Sequence, residues 1–332
     1  MVNPYRGEDF FSFFRILLIR LGDRVAGGMG RGDMASDEVQ IVTLCLIACT
    51  SACVGTFLVL RRMTMLANSL SHTILPGIVV MVLITKGVSH GASSYRMGTL
   101  LMTALITGVI TTALTEWFCK GFHLRKDAGI GLIFTALFSL GIIGINLFLR
   151  HVHMGLETVT GNLDALHIDD VRLAFKVCVI NCAIVIAFRK SYVLVTFDAA
   201  FARNCGISDL FFRYLLMVQT ATTAISAFRA LGVFLFLAFI VVLPEAARCF
   251  TKKIGSLIFC GCAIGCAVST VSVALARHSL SVYAIPLSTA GMTTILLGLA
   301  FCVGIGYRSV LSYVRKRGVR LRIARAPERG MG

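Results

Sequence analysis

Long apolar runs separated by short charged breaks dominate this chain, and their lengths predict membrane-crossing helices. Nine runs can be read, at about 39–60, 65–85, 97–118, 128–149, 172–188, 211–227, 231–247, 254–276 and 288–309. Some are shorter than the roughly 20 residues a lone crossing helix needs. The sixth and seventh are split only at Phe228-Arg229, which predicts two short helices or one broken pair. The expected fold is all-α: a polytopic membrane protein with about eight to nine transmembrane helices.

Residues 1–37 do not share this pattern. Phe10 to Leu21 mixes Phe, Ile and Leu with Arg15 and Arg20, which predicts an amphipathic helix lying at a membrane interface. The stretch lacks the small-residue cleavage site of a signal peptide, and the Gly-rich Gly27–Met34 that follows reads as a linker. The expected division is an interfacial extension at 1–37, a transmembrane domain at 38–310 and a basic tail at 311–332.

Composition agrees with the membrane class. Hydrophobic residues make up 57% of the chain and charged residues only 14%, against about a quarter charged in soluble domains. Lys and Arg total 32 against 16 Asp and Glu. Such an excess could suggest nucleic acid, but no reader motif accompanies it, and none is expected as a partner. The basic residues cluster in alternate breaks: Arg61/Arg62, Lys120/Arg125/Lys126, Arg189/Lys190/Arg203, Arg248/Lys252/Lys253, and the tail from Arg308 to Arg329. The intervening break 150–171 carries Glu157, Asp164, Asp169 and Asp170. By the positive-inside rule the basic breaks face the cytoplasm, with the N-terminus outside and the C-terminus inside. Arg6 to Arg31, basic but placed outside, runs against this assignment.

Twelve cysteines are present without a C-x-x-C. Cys45/Cys49/Cys53, Cys178/Cys182 and Cys262/Cys266 recur every four residues and stack along helix faces. Most lie inside apolar runs, so they read as small packing residues rather than a disulfide framework.

Chemistry concentrates in Gly55–Ile78. There an apolar run stops at Arg61-Arg62, and Asn68, Ser69, Ser71 and His72 follow, with Pro76-Gly77 one turn later. On a helix Asn68 and His72 share one face. A neutral imidazole ligates first-row divalent metals and an amide oxygen is a weaker ligand; the same pair can equally be a buried histidine and a helix–helix hydrogen-bonding amide. A second unusual stretch is Phe197–Leu210, in which FDAAFAR predicts a short amphipathic helix with Asp198 near its N-terminal end. It suits either a surface displayed to a cytoplasmic partner or an ordinary loop. The phosphate loop G-x-x-x-x-G-K-[ST], H-E-x-x-H and G-x-S-x-G are all absent. Apart from Glu116 and Glu245 near span ends, the runs hold no chain of carboxylates such as gradient-driven pumps use.

These stretches together resemble the permeases of bacterial zinc, manganese and iron ABC importers. GTFLVLRRMTMLANSLSHTILPGI is similar to that family's arginine-ended helix followed by a G-D-x-x-x-H-like segment and Pro-Gly. Asp127–Phe134 resembles its acidic, Ala-Ile-Gly span start, and Gly161-Asn162-Leu163 its Phe-Gly-Asn/Asp-x-Leu loop, with Thr160 in place of Phe. Phe197 to Ile207 is similar to its F-D-P-E-x-A-x-x-x-G-I loop, with Ala199-Ala200 for Pro-Glu. Gly232–Pro244 with Ala246-Ala247-Arg248 resembles its G-x-L-L-V…P-A-A-x-A-R helix, Glu245 replacing a small residue. The resemblance, over about 40–305, implies a multi-pass permease of the bacterial inner membrane with no stably bound cofactor, passing a divalent metal ion. It implies three partners: a cytoplasmic ATPase, an extracytoplasmic metal-binding protein and a second permease, the same or different. It assigns His72 and Asn68 to the ion path, with Asn68 where the family usually has Asp. It assigns Phe197, Asp198, Phe201, Ala202, Arg203, Gly206 and Ile207 to the ATPase-coupling segment. A gradient-driven secondary transporter is the alternative reading.

Overall fold

The computed structural model describes residues 5, 10–25, 35–65, 67–69, 76–77, 79–80, 83, 97–123, 126–148, 163, 166, 168–283, 285 and 287–324. Its long elements are all helical: α1 (Phe10–Val25), α2 (Ser36–Leu60), α3 (Met97–Gly121), α4 (Lys126–Phe148), α5 (Ile168–Ala187), α6 (Arg189–Phe197), α7 (Ala199–Asn204), α8 (Asp209–Leu237), a π-helical turn (Ala238–Val242), α9 (Leu243–Phe250), α10 (Ile254–Tyr283) and α11 (Thr289–Ala324). Eight of the nine expected runs coincide with helices; the ninth, 65–85, falls mostly outside the described residues. Among the described residues, Ser36–Leu60, Ala230–Phe250, Ile254–Tyr283 and Thr289–Val314 are each long and apolar enough to cross a membrane. α5 and α6 make a fifth if the pair, bent by 70°, is one broken span.

α2 is the central helix. Its most apolar stretch is 78% buried, against 22% for α11. α10, α5, α8, α9 and the π turn all pack on it. The contact with α10 is made by small residues: a Cβ added at Gly265 would lie 2.8 Å from Ala48 Cβ, and one at Gly261 would lie 3.1 Å from Ala52 Cβ. Lipid tails give apolar helices no hydrophobic reason to associate, so close backbone approach at small residues supplies the contact. α11 by contrast exposes Ile295, Leu299, Val303, Tyr307 and Val310, a stripe suited to lipid. Its 36 residues correspond to about 54 Å, more than the roughly 30 Å hydrocarbon core. The basic segment therefore begins within a helix that runs unbroken past residue 310 to Ala324.

α2 ends as the Arg61-Arg62 break predicts. Arg62 adopts φ 56°, its amide donates to Val59 O, and the Met63 amide donates to Leu58 O. This is a Schellman stop with arginine where glycine is usual, a conformation that costs an L-residue about 1–2 kcal/mol.

The sixth and seventh runs are separated at Gly232 (φ 73°, ψ 174°), not at Phe228-Arg229. Arg229 interrupts the hydrophobicity but not the helix. Only glycine takes this positive φ without strain from a Cβ. Beyond it Pro244, which has no N–H to donate to Ile240 O, adjoins the widened turn Ala238–Val242. α2 approaches this point at Gly55, where an added Cβ would overlap the Ile240 carbonyl oxygen and lie 2.9 Å from Pro244 Cγ. Gly55→Val is expected to separate α2 from the turn at a cost of about 1–3 kcal/mol, read as a lowered melting temperature of the detergent-purified protein. An unchanged melting temperature would contradict this packing.

Charged side chains gather at the two ends of the helix bundle. At one end Arg277, near the end of α10, pairs with Asp37 at the start of α2, its Nε donating at 2.9 Å. Beside it Glu38 accepts from the Tyr5 hydroxyl at 2.9 Å and pairs with Arg20. Burial first, then the Glu38 hydrogen bond, raises the Tyr5 phenol well above its ordinary range, so it stays a donor. These pairs clamp α1 to the bundle, with Phe13 and Leu17 buried and Phe11, Leu18 and Ile19 facing outward.

Candidate functional site

The opposite end carries the basic breaks. Arg61, its side chain 8% exposed, pairs with Asp209 in the first turn of α8. Arg213, one turn on, donates to Asp209 Oδ2 at 2.9 Å and to Glu116 Oε1, near the end of α3, at 3.1 Å. Lys120 lies 3.8 Å from the same Glu116 oxygen. The ends of α2 and α3 are thus tied to the start of α8 by one network of alternating charge. Burial lowers the affinity of Arg61 for its proton while Asp209 opposes that shift. The other acid singled out in the sequence, Glu245, pairs with Arg248 one turn later at 2.9 Å, which accounts for a charge at that position.

Next to this network lies the Phe197–Leu210 segment, and its construction is local. α5 ends at Ala187 and the chain bends by 70° into α6. Asp198 caps α7, its carboxylate accepting from the Phe201 amide at 2.8 Å, an interaction worth about 1 kcal/mol. α7 closes with a second Schellman stop: Gly206 (φ 78°) donates to Arg203 O and Ile207 to Ala202 O. Ser208 then caps α8 by accepting from the Phe211 amide at 3.3 Å. Asp198, Gly206 and Ser208 therefore fix a one-turn helix between two bends. Ala202 is its buried residue. Phe197 and Phe201 are 68% and 53% exposed, and Arg203 is exposed on the same turn. All seven residues assigned to the segment lie on this one stretch, with two exposed aromatic rings and an exposed arginine.

Asn68 is half-buried, between fully buried Ala67 and Ser69, whose hydroxyl has no hydrogen-bond partner among the described residues. His72 lies outside the described residues. Gly77 is buried with Thr107 of α3 where its Cβ would be, which places the Pro76-Gly77 stretch against α3. Among the described residues no group of three or more His, Cys, Asp or Glu could hold a metal ion. The cysteines are all free thiols; Cys49 and Cys266 face each other at 3.9 Å across the α2–α10 contact.

The sequence reading missed the Arg61–Asp209–Arg213–Glu116 network. Its only signal there was that each charge stands at a span end.

The profile of the ABC 3 transport family matches residues 38–308. A probable metal transport system membrane protein of Chlamydia pneumoniae is 33% identical over 301 residues, 91% of each chain. The manganese transport system membrane protein MntD of Bacillus subtilis is 30% identical over 245 residues, 70% of this chain and 80% of its own. Among solved structures, PsaBC from Streptococcus pneumoniae in complex with Fab superposes with a TM-score of 0.68 at 20% identity, covering 82% of this chain and 92% of that one. The chain belongs to the ABC 3 transport family: it is a multi-pass membrane permease, a component of a bacterial ATP-binding cassette transporter, and is not itself the ATPase. The gradient-driven alternative falls with that assignment.

Proposed function

We propose that this permease carries a divalent first-row transition metal inward, as one half of a paired membrane channel powered by a cytoplasmic ATPase seated on Phe197–Ile207. The observation that carries the reading is the bend at Asp198, where Phe197 at the end of α6 and Phe201 on the capped helix α7 are both exposed at the basic end of the bundle. Exposed aromatic residues and an exposed arginine on one short segment suit a protein partner. The positive-inside rule puts that end in the cytoplasm, where an ATPase would reach it. An extracytoplasmic metal-binding protein would deliver the ion at the opposite end. The Bacillus subtilis relative, named for manganese transport, makes manganese the first cargo to test; zinc and iron suit imidazole and amide ligands nearly as well.

In this reading Asn68 and His72 contact the ion in passage. A neutral amide does not offset a dication as a carboxylate would. A second, different permease supplying the carboxylate would complete the path. In a host lacking its own importer, His72→Ala is expected to cut uptake of radiolabelled manganese by about tenfold or more while the complex still assembles. Full uptake would remove His72 from the path.

A further inference from the structure

Tyr192 occupies a position that neither the capping of α7 nor the ion path accounts for. It is fully buried on α6, one of the two buried residues of that helix with Val195, and lies five residues before Phe197. Its hydroxyl donates to Gln219 Oε1 of α8 at 2.6 Å. Gln219 Nε2 donates to the Asn181 carbonyl of α5 at 3.3 Å. Asn181 Nδ2 donates to Thr223 Oγ1 at 3.0 Å, and that hydroxyl donates back to Gln219 O at 2.7 Å. The Tyr192 ring also packs on Phe57 of α2, centroids 5.0 Å apart, and edge-on against Phe212 of α8 at 5.2 Å.

One side chain thus links α6 to the central helix α2, to α8 and, through Gln219, to α5. α6 and α7 are joined only by Asp198 and pack on each other. A displacement of α7 therefore reaches the bundle through α6, in addition to its own contact with the start of α8. Val195 is apolar and offers no directional bond, whereas the Tyr192 hydroxyl is held in one geometry. Buried hydrogen bonds of this kind are costly to leave unmade, so they favour discrete arrangements over gradual slippage.

We propose that Tyr192 is the positioning residue that passes movement of the α7 segment into α2 and α8, through its bond to Gln219 and its packing on Phe57. The proposal rests on the reading that an ATPase seats on Phe197–Ile207. Tyr192→Phe keeps the ring and removes only the hydroxyl. The experiment reconstitutes the full complex, with ATPase and partner permease, in proteoliposomes and measures manganese transported per ATP hydrolysed. With Tyr192→Phe, ATPase co-purification and hydrolysis are expected to persist while transport per ATP falls about fivefold or more. Gln219→Leu should give a similar fall, and the double variant no further loss, because both cut the same bond. A ratio within about twofold of wild type, or transport and hydrolysis falling together alongside a lowered melting temperature, would overturn the proposal. A Phe197→Ala/Phe201→Ala control separates the two readings. If the ATPase stays bound to it, the docking assignment fails whatever Tyr192→Phe does.

Discussion

Replacing Phe197 and Phe201 together by alanine should strip the ATPase from the purified transporter. The two rings are largely solvent-exposed although α7 is firmly capped at both ends. Keeping large apolar groups in contact with water has no value for the isolated chain. Aromatic anchors at protein interfaces commonly contribute about 2 kcal/mol each. Losing two then weakens association about a thousandfold. Co-purification on a tagged permease, with the melting temperature checked for each variant, reads the effect. The melting temperature should not fall, because neither ring is packed in the core. Retention of the ATPase at wild-type level would place its seat elsewhere on the permease.

The second large effect is expected at Asp209. Asp209→Asn removes the carboxylate shared by Arg61 and Arg213, leaving Glu116 as the one acid of the network described around them. Arg61 cannot escape to water: its side chain is 8% exposed and its Nη1 has no hydrogen-bond partner among the described residues. Breaking one partner of a buried pair typically costs about 3–5 kcal/mol, whereas replacing both by apolar residues is often neutral. The single variant should therefore melt well below wild type in detergent, and Arg61→Met combined with Asp209→Leu should recover most of the loss. If Asp209→Asn melts like wild type, the three helix ends are not held by this network.

Several features were legible because they depend on neighbours in sequence. Asp198, Gly206 and Ser208 each act within three residues of themselves, so the bends around α7 follow from capping chemistry. The Arg61-Arg62 stop was legible as a charge break, though the left-handed backbone of Arg62 was not. Hydrophobic runs gave the helices but not their breaks. Arg229 drew the division of the sixth and seventh runs because it is charged; the chain turns at Gly232 because backbone freedom, not polarity, decides where a helix can reverse. The 70° bend between α5 and α6 left no sign in composition, since Arg189-Lys190 reads as a loop and folds as a helix start. The Arg61–Asp209 pair and the Tyr192–Gln219–Asn181 network join distant parts of the chain. Nothing local in a sequence marks such partners.

The central claim is that a separate nucleotide-hydrolysing subunit drives passage of the metal through this permease. Vesicles reconstituted with the permease pair, its ATPase and the metal-binding protein should transport manganese against its gradient when ATP is supplied at the ATPase side. The same vesicles without the ATPase should transport none. Uphill manganese movement by the permease with no ATP-hydrolysing companion present would contradict the account.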